Sequence, residues 1–256
     1  MRIDVLFMYT QGLLLDRLEA DNTTIEHYFQ KRSQEVELVY GDNGRNKLGY
    51  TLRLLEPARY EGKTSGSVVT QRSLLSSDGR AKNGSTRKAR DARGADLVAR
   101  VMTGSTNDYC GSGSFYVNGN SARAFSVSRF GGEGKYSFSH EIGHNLGADH
   151  ARSDDKNPGT NRCNFGFKSQ AARKVTIMAY LSGCANCRRQ PYFSDTNIQE
   201  PTKTGNAVMA LLVIRTKEPR TLRRFVLTDQ RSRASELPNE VRINRSGFSL
   251  KSLAAG

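Results

Sequence analysis

Apolar residues near the N-terminus follow two periods, one typical of strands and one typical of helices. The short apolar run at 3–9 predicts a buried strand. Thr23 or Thr24 can cap a helix that runs to about Tyr40, in which apolar residues recur on one face. The residues of this helix expected to face the core are Ile25, Tyr28, Phe29, Val36 and Val39, and Asp42-Asn43-Gly44 is expected to end it.

The same patterns divide the rest of the chain into strands, helices and loops. In order, they predict a strand at 50–56 that stops before Pro57, a loop at 62–86, a helix from Thr86 to Arg93 closed by Gly94, a strand at 96–103, a loop at 104–121, a strand at 122–130 and a helix at about 136–146. After His150 the chain is expected to be mostly irregular to Ser194. A closing helix is predicted at 205–215, and the polar composition from Gln230 onwards predicts a mobile tail.

Length and composition indicate a globular protein. The chain has 256 residues, of which 36% are hydrophobic, enough to bury one sizeable core in one domain with two lobes. No apolar run is long enough to cross a bilayer, so no membrane span is expected. The run at 3–9 contains Asp4 and lacks a small-residue cleavage site, which favours a strand over a signal peptide.

Positive charge is the main bias of the composition. The net charge is +14, with Lys and Arg concentrated at 80–100 and 215–251. The simplest interpretation is a solvated basic face and a basic tail. Because the chain has no Trp and no interleaving of aromatic and basic residues, no specific nucleic-acid binding is expected. Electrostatic attraction of acidic substrates remains a third interpretation.

The histidines carry the strongest chemical signal. The chain has four, and three of them lie within 140–150, which reads H-E-x-x-H-x-x-G-x-x-H. His140 and His144 are four residues apart, so on a helix both rings lie on one face and can reach one ion. Glu141 is rotated from them by about 100° on a helix of 3.6 residues per turn, so it can reach a water molecule beside the ion without being a ligand.

Gly147 explains how a third histidine joins them. Glycine tolerates a positive φ, so Gly147 can end the helix and turn His150 towards the same ion. Three protein ligands leave one position open, which is typical of a catalytic zinc site. The alternative is a buried amphipathic helix with incidental histidines, and the added glycine and third histidine at fixed spacing favour the zinc site.

Further motifs connect the chain to a family. The histidine motif, followed by Thr176-Ile177-Met178-Ala179-Tyr180, resembles the metzincin zinc endopeptidases with their methionine turn. Among these enzymes, the chain most resembles the secreted bacterial reprolysin-like group, and within that group the peptidyl-Asp metalloendopeptidases. This resemblance is carried by the strand-like segment at 94–101, by Cys110-Gly111 and by Pro191-Tyr192-Phe193-Ser194-Asp195. The resemblance covers roughly residues 1–226. Many metzincin subfamilies carry a diagnostic residue after the third histidine, and here it is Ala151, which leaves the subfamily and its substrate preference open.

The resemblance implies an α+β fold of the zincin-like type. Its upper lobe, of α/β type, would hold a mixed twisted sheet, an edge strand over the cleft and the active-site helix. Its lower lobe would be irregular, with the methionine turn and a C-terminal helix. The implied boundaries are a catalytic domain at 1–228, divided into lobes at 1–147 and 148–228, a basic tail at 229–256, and an edge strand at 122–128 that would hold an extended substrate.

The resemblance also implies roles for the site residues. His140, His144 and His150 would bind one catalytic Zn²⁺, and Glu141 would act as the general base. Met178 would form a floor beneath the histidines, unless it is an ordinary core residue. Tyr180 would ligate zinc or hydrogen-bond the tetrahedral intermediate, unless its hydroxyl is purely structural.

The expected function is therefore hydrolysis of internal peptide bonds in proteins or peptides, and a preference for acidic residues beside the scissile bond is a further expectation. The alternative is a zinc-binding protein of this fold without turnover, acting as a binding module. We expect a secreted monomer whose signal and pro-segment are not part of this sequence.

The cysteines fit an oxidising compartment. Cys110, Cys163, Cys184 and Cys187 permit three full pairings. One or two disulfides are expected, and a bond from Cys163 to Cys184 or Cys187 would hold the segment that carries Met178. Such bonds are typical of extracytoplasmic proteins.

Overall fold

The computed structural model describes residues 2–13, 22–103, 109–115, 121–130, 135–155, 164–202 and 205–209. Its helices are α1 (Gln11–Leu13), α2 (Ile25–Tyr40), α3 (Val68–Arg80), α4 (Ser85–Ala92) and α5 (Ser137–Asn145). Its strands are β1 (Arg2–Tyr9), β2 (Thr51–Arg59), β3 (Leu97–Met102), β4 (Gly111–Gly113), β5 (Phe125–Arg129), β6 (Lys168–Ser169), β7 (Lys174–Val175), β8 (Arg188–Arg189), β9 (Asp195–Thr202) and β10 (Gly205–Met209).

A five-stranded mixed sheet organises the part of the chain before His150. Its strand order is β2-β1-β3-β5-β4. The first four of these strands are parallel to their neighbours, and β4 runs antiparallel to β5. With helices on both sides, the molecule is an α+β protein, and the predicted mixed sheet is confirmed.

The apolar run of β1 packs into two cores, one on each face of the sheet. Ile3, Val5 and Phe7 belong to the core beneath α2 and α5. Leu6 and Met8 point the opposite way, into the core beneath α3. Because side chains alternate along a strand, an unbroken apolar run is what a strand covered on both faces requires.

Helix α2 forms where its apolar spacing and its cap predict. The Thr24 hydroxyl accepts a hydrogen bond from the His27 amide, which satisfies a free N–H group of the first turn. Val36 and Val39 are buried in the core, and the remaining predicted positions, Ile25, Tyr28 and Phe29, pack partly buried against it.

Strand β2 continues past Pro57, contrary to the prediction that it stops there. It is the outermost strand on its side of the sheet, and its register with β1 shifts between Leu6 and Met8. A proline has no N–H to donate, but an edge strand with an irregular register tolerates this loss.

The predicted loop at 62–86 is wrong, because helix α3 occupies most of it. The Ser67 hydroxyl caps the helix by accepting from the Thr70 amide. The buried positions of α3 are Val68, Gln71, Leu75 and Gly79, which recur at helical spacing but include only two apolar side chains. Helix α4 follows at Ser85, close to the predicted start, and Gly94 has the positive φ of 62° expected after it.

The edge strand beside the active helix is β4, not the segment at 122–128. Strand β5 covers most of that predicted segment and is internal, because β3 lies on one side of it and β4 on the other. Strand β4 lies inside the predicted loop at 104–121. Its sequence, Gly-Ser-Gly, has no apolar pattern from which a strand could be predicted.

The chain after His150 is held by short strands. Strands β6, β7 and β8 form one small sheet, and β9 pairs antiparallel with β10. The predicted helix at 205–215 is therefore wrong for 205–209, which is strand β10, and its remainder lies outside the described residues. A short apolar run fits a helix or a strand equally well, and pairing with β9 decides between them.

The disulfide pairing also differs from the prediction. Cys184 is bonded to Cys187, so neither is bonded to Cys163, which lies outside the described residues. A turn with Asn186 at a φ of 58° brings the two Cα atoms to 5.5 Å, within the range that a disulfide spans.

The predicted tail at 229–256 also lies outside the described residues. Among the residues that the structure describes, no helix is long and apolar enough to span a bilayer.

Candidate active site

The first turn of α5 is fixed by helix α2. Tyr136 precedes α5 at a φ of 71° and provides no side-chain cap. Instead, the Glu35 carboxylate accepts from the Ser139 amide at 2.9 Å, and the Tyr40 hydroxyl donates to the Ser139 carbonyl at 2.7 Å. Arg32 pairs with Glu35 at 2.7 Å. The helix that carries two of the predicted ligands is thus anchored to the sheet half of the molecule.

The three predicted histidine ligands lie in one cluster. His140 and His144 are on α5, and His150 approaches from the loop beyond it. The Nε2 atom of His150 lies 3.2 Å from that of His140 and 3.1 Å from that of His144. One ligand atom of each residue lies within 4.8 Å of the others. Gly147, at a φ of 94°, makes the turn that the sequence predicts.

Backbone carbonyls orient the two helical rings. The Nδ1 atom of His140 lies 2.9 Å from the Ile177 carbonyl, and that of His144 lies 2.9 Å from the Ala148 carbonyl. A carbonyl can only accept, so each Nδ1 carries the proton and each Nε2 keeps its lone pair. This arrangement leaves both Nε2 atoms free to coordinate a metal ion.

Burial keeps the histidines neutral. It lowers the pKa of His140 well below its ordinary value and lowers that of His144 to about 4. The pKa of His150 is also lowered by burial, although the nearby carboxylates of Asp149, Asp154 and Asp155 oppose the change. Neutral imidazole is the form that binds a metal ion.

Glu141 is buried beneath strand β4. A Cβ atom added to Gly111 would lie 2.5 Å from Cγ of Glu141, and one added to Gly113 would lie 2.4 Å from its backbone oxygen. The glycines of β4 therefore allow the edge strand to lie directly on the active helix. Burial raises the pKa of Glu141 to about 8, and a hydrogen bond from the Gly113 backbone partly opposes it.

Tyr180 and Met178 also reach the cluster. The Tyr180 hydroxyl lies 3.1 Å from Nε2 of His150, and burial raises its pKa to about 12. Met178 is buried against α5, where a Cβ added to Gly143 would lie 2.7 Å from its sulfur atom. All six residues predicted for the site are thus brought together.

Several residues around the site were not predicted. Asn145 donates through its amide to the carbonyls of Ser114 and Phe125, which ties α5 to both β4 and β5. Asp154 accepts from the Tyr180 amide at 2.9 Å and pairs with Lys168. Their partners are distant in the sequence, so no local pattern identifies them.

A cleft of about 740 Å³ opens over the cluster. Arg189 lines it, and burial lowers the pKa of its guanidinium, although the charge of Glu141 opposes this change. The other residues that line the cleft include Tyr109, Ser112, Phe115, Arg129, Ser137 and Asp149.

Comparisons with known proteins agree with this geometry. The chain is 27% identical over 201 residues to a peptidyl-Asp metalloendopeptidase of Stenotrophomonas maltophilia, an alignment that covers 75% of this chain and 47% of that protein. It is 31% identical over 202 residues to a peptidyl-Asp metalloendopeptidase of Xanthomonas campestris pv. campestris, with coverage of 75% and 46%. The chain therefore spans about half the length of these curated relatives.

Two solved structures match this chain at low sequence identity. One, described as the structure of a chaperone–substrate complex, has a TM-score of 0.59 and 17% identity, covering 91% of this chain and 38% of that one. The other is metalloproteinase-II from Bacteroides fragilis, with a TM-score of 0.42 and 16% identity, covering 77% and 50%. The likeness to the first structure, at 17% identity, concerns the fold alone.

A family model gives the assignment. The model described as metallo-peptidase family M12 matches residues 4–194, which include the histidine cluster, Glu141 and the turn that carries Met178. The chain belongs to the M12 family of metallo-peptidases.

Proposed function

We propose that this chain is the catalytic part of a secreted zinc endopeptidase that hydrolyses internal peptide bonds of proteins. The convergence of three imidazole Nε2 atoms beside a buried carboxylate is the observation that carries the proposal. Family membership supports a divalent metal and a peptide-bond substrate.

The donor set fits zinc. Three neutral imidazoles whose Nδ1 atoms face carbonyls or polar partners are typical of catalytic zinc sites, and harder cations prefer oxygen ligands. His140, His144 and His150 would hold the ion. When bound, zinc would acidify a water molecule and polarise the peptide carbonyl.

Glu141 moves the proton in this scheme. Its carboxylate accepts a proton from the attacking water and delivers it to the nitrogen of the departing amine, so that the carboxylate is regenerated. Burial alone raises its pKa, but a cation held by the histidines would favour its ionised form.

Tyr180 and Met178 complete the site. The Tyr180 hydroxyl is positioned to donate a hydrogen bond to the developing oxyanion, or to contact the ion from the His150 side. Met178 packs against Gly143, which lies between His140 and His144 on α5. This apolar contact would set how closely α5 approaches the turn that carries Met178.

An extended substrate would add to the outer edge of β4 beside Gly111, because the backbone of Gly113 is already engaged by Glu141 and Arg72. This strand lies at the end of the sheet, and Gly111, Ser112 and Gly113 line the cleft over Glu141. Main-chain hydrogen bonds to such an edge hold a peptide extended without requiring particular side chains. We also propose a preference for acidic residues beside the scissile bond, supported by the names of the two relatives.

Secretion is supported by the Cys184–Cys187 disulfide, since such bonds persist mainly in oxidising compartments. We further propose the domain division stated from the sequence, with lobes that meet at the histidine cluster. The C-terminal helix of the lower lobe is not part of this proposal.

Casein digestion with and without a zinc chelator tests the proposed function. We expect internal cleavage by the untreated protein, its loss on chelation, and its return when zinc is added back. A folded protein that holds one zinc ion per chain but cleaves neither casein nor an unstructured peptide would instead support the binding module without turnover.

A further inference from the structure

Arg189 holds a guanidinium in the wall of the cleft, and among the described residues the Ala179 carbonyl is the acceptor it meets. It lies on strand β8, and its Nη2 atom donates to the Ala179 carbonyl at 3.2 Å. Its Nε atom is buried without an acceptor. Among the residues that the structure describes, no carboxylate forms an ion pair with this guanidinium; Asp154 and Glu200 pair with lysines instead.

The two carboxylates that interact electrostatically with Arg189 already have other partners. Asp154 pairs with Lys168 and accepts from the Tyr180 amide. Glu141 lies under β4, where Gly113 donates to it. Neither forms an ion pair with Arg189, although both act on its charge. A guanidinium in the cleft wall that forms no ion pair can therefore bind a carboxylate carried by a ligand.

We infer that Arg189 is a specificity-determining residue, which binds the acidic side chain of the residue next to the scissile bond. The inference rests on the proposed function and adds the residue responsible for substrate choice. The planar guanidinium matches a carboxylate through two parallel hydrogen bonds, which an amide of the same shape cannot replace. The bond to Ala179, adjacent to Tyr180, holds this fork beside the reacting groups.

The cleft offers other cations, which the test must separate. Arg129 on β5 lines the same cleft. Arg72 donates to the Gly113 carbonyl, which holds its side chain against β4. Arg188 is the sequence neighbour of Arg189 and is exposed, so it provides a matched control for loss of charge.

The experiment measures binding and cleavage of two peptides that differ only in whether the central side chain ends in a carboxylate or an amide. Each is a blocked decapeptide of small neutral residues with a central Asp or Asn. Binding is measured with zinc-loaded Glu141→Ala, which removes turnover, and with the same protein carrying Arg189→Gln, Arg189→Lys, Arg188→Gln or Arg129→Gln. Zinc content and the unfolding midpoint are recorded for each variant.

We expect the Asp peptide to bind more tightly than the Asn peptide by about 10- to 100-fold, the usual range for a hydrogen-bonded charge. Arg189→Gln should bring the two affinities to within about threefold of each other, since only the charged contact is removed. Arg189→Lys should keep a reduced preference because it keeps the charge, and Arg188→Gln should keep the full preference. A purely structural role of Arg189 would change both affinities without changing their ratio.

Three results would overturn the inference: no preference in the parent protein, a full preference in Arg189→Gln, or loss of the preference in Arg129→Gln instead. Failure of the proposed function is a different result. If protein with Glu141 intact cleaves neither peptide while binding shows an Arg189-dependent preference, the endopeptidase proposal fails and the role of Arg189 stands.

Discussion

The five-stranded sheet and the segment at 164–202 meet at the same histidine cluster but are held together differently. In the sheet, every residue of β3 is buried, and a large apolar cluster lies on each face. In the later segment the strands β6, β7 and β8 have two residues each, and the apolar clusters are small.

Polar contacts take the place of a large core in the later segment. The Glu200 carboxylate is buried and accepts from Tyr192, while pairing with Lys174 and with Arg45 of the sheet half. Asn46 accepts from the Phe193 amide at 2.6 Å. These contacts help to position two parts of the segment, the turn that carries Met178 and Tyr180 and the strand β8 that carries Arg189.

This difference indicates that the sheet provides most of the stability, whereas the segment at 164–202 holds the site residues at defined positions. Apolar burial is non-directional and tolerates small displacements, whereas hydrogen bonds and ion pairs hold groups at defined distances. We therefore expect the sheet to dominate the free energy of unfolding, and the later segment to respond more strongly to pH.

The largest expected effect is in the sheet. Phe7 is fully buried and packs against Phe29 and Phe138, with ring centroids 5.4 and 5.8 Å away. Phe7→Ala should lower the free energy of unfolding by about 3–5 kcal/mol, because it removes apolar contacts and leaves a cavity. Denaturant titration measures this loss, and Leu38→Ala on the exposed side of α2 should stay within about 0.5 kcal/mol of the wild type.

An intermediate effect is expected at Glu200. Glu200→Gln keeps the shape of the side chain but leaves Lys174 and Arg45 without their carboxylate, so it should cost about 1–3 kcal/mol. The exposed Glu56→Gln is the matched control. If Glu200→Gln cost more than Phe7→Ala, the proposed division between the two regions would be wrong.

The same substitution predicts a pH dependence. Burial raises the pKa of Glu200, but the hydrogen bonds from Lys174 and Tyr192 outweigh it, so the pKa lies below its ordinary value of 4.5. A lowered pKa means that the folded state favours the carboxylate. Its contribution should be complete above pH 4.5 and be lost as the pH falls through the folded value. The stability difference between wild type and Glu200→Gln should therefore shrink below that pH, and a constant difference would contradict the assignment.

The smallest expected effect is at the junction of α2 and α5. Glu35→Gln weakens the acceptor of the Ser139 amide, so it should cost about 0.5–2 kcal/mol, as loss of a helix cap does. Thermal unfolding monitored beside the exposed Glu37→Gln measures it. Equal midpoints for the two variants would show that α5 does not depend on this contact.

Those parts of the fold that follow from local pattern could be predicted. The apolar run of β1 and the spacing of Val36 and Val39 in α2 report burial directly, because each element has a face in the core. The histidine motif fixes four of the site residues, the three histidines and Glu141, through short covalent spacing, and Gly147 turns the chain as glycine allows.

The remainder depends on contacts that a single sequence does not encode locally. Helix α3 has polar residues on a buried face, and Gly79 is required there because the ring of Phe125 would lie 2.3 Å from an added Cβ. Strand β4 is Gly-Ser-Gly, whose glycines are explained only by Glu141 packed beneath them. Arg189 belongs to the cleft because of strand pairing between β7 and β8, which has no sequence signature.

The most direct test of the central claim is the activity of Glu141→Gln with its zinc content measured in the same preparation. This variant keeps the side-chain shape beneath Gly111 but removes the proton acceptor. We predict one zinc ion per chain in both proteins and a loss of casein cleavage by about 10²- to 10⁴-fold in the variant, the range for removal of a general base. Near-normal cleavage by a fully zinc-loaded variant would contradict the account, because another group would then be moving the proton.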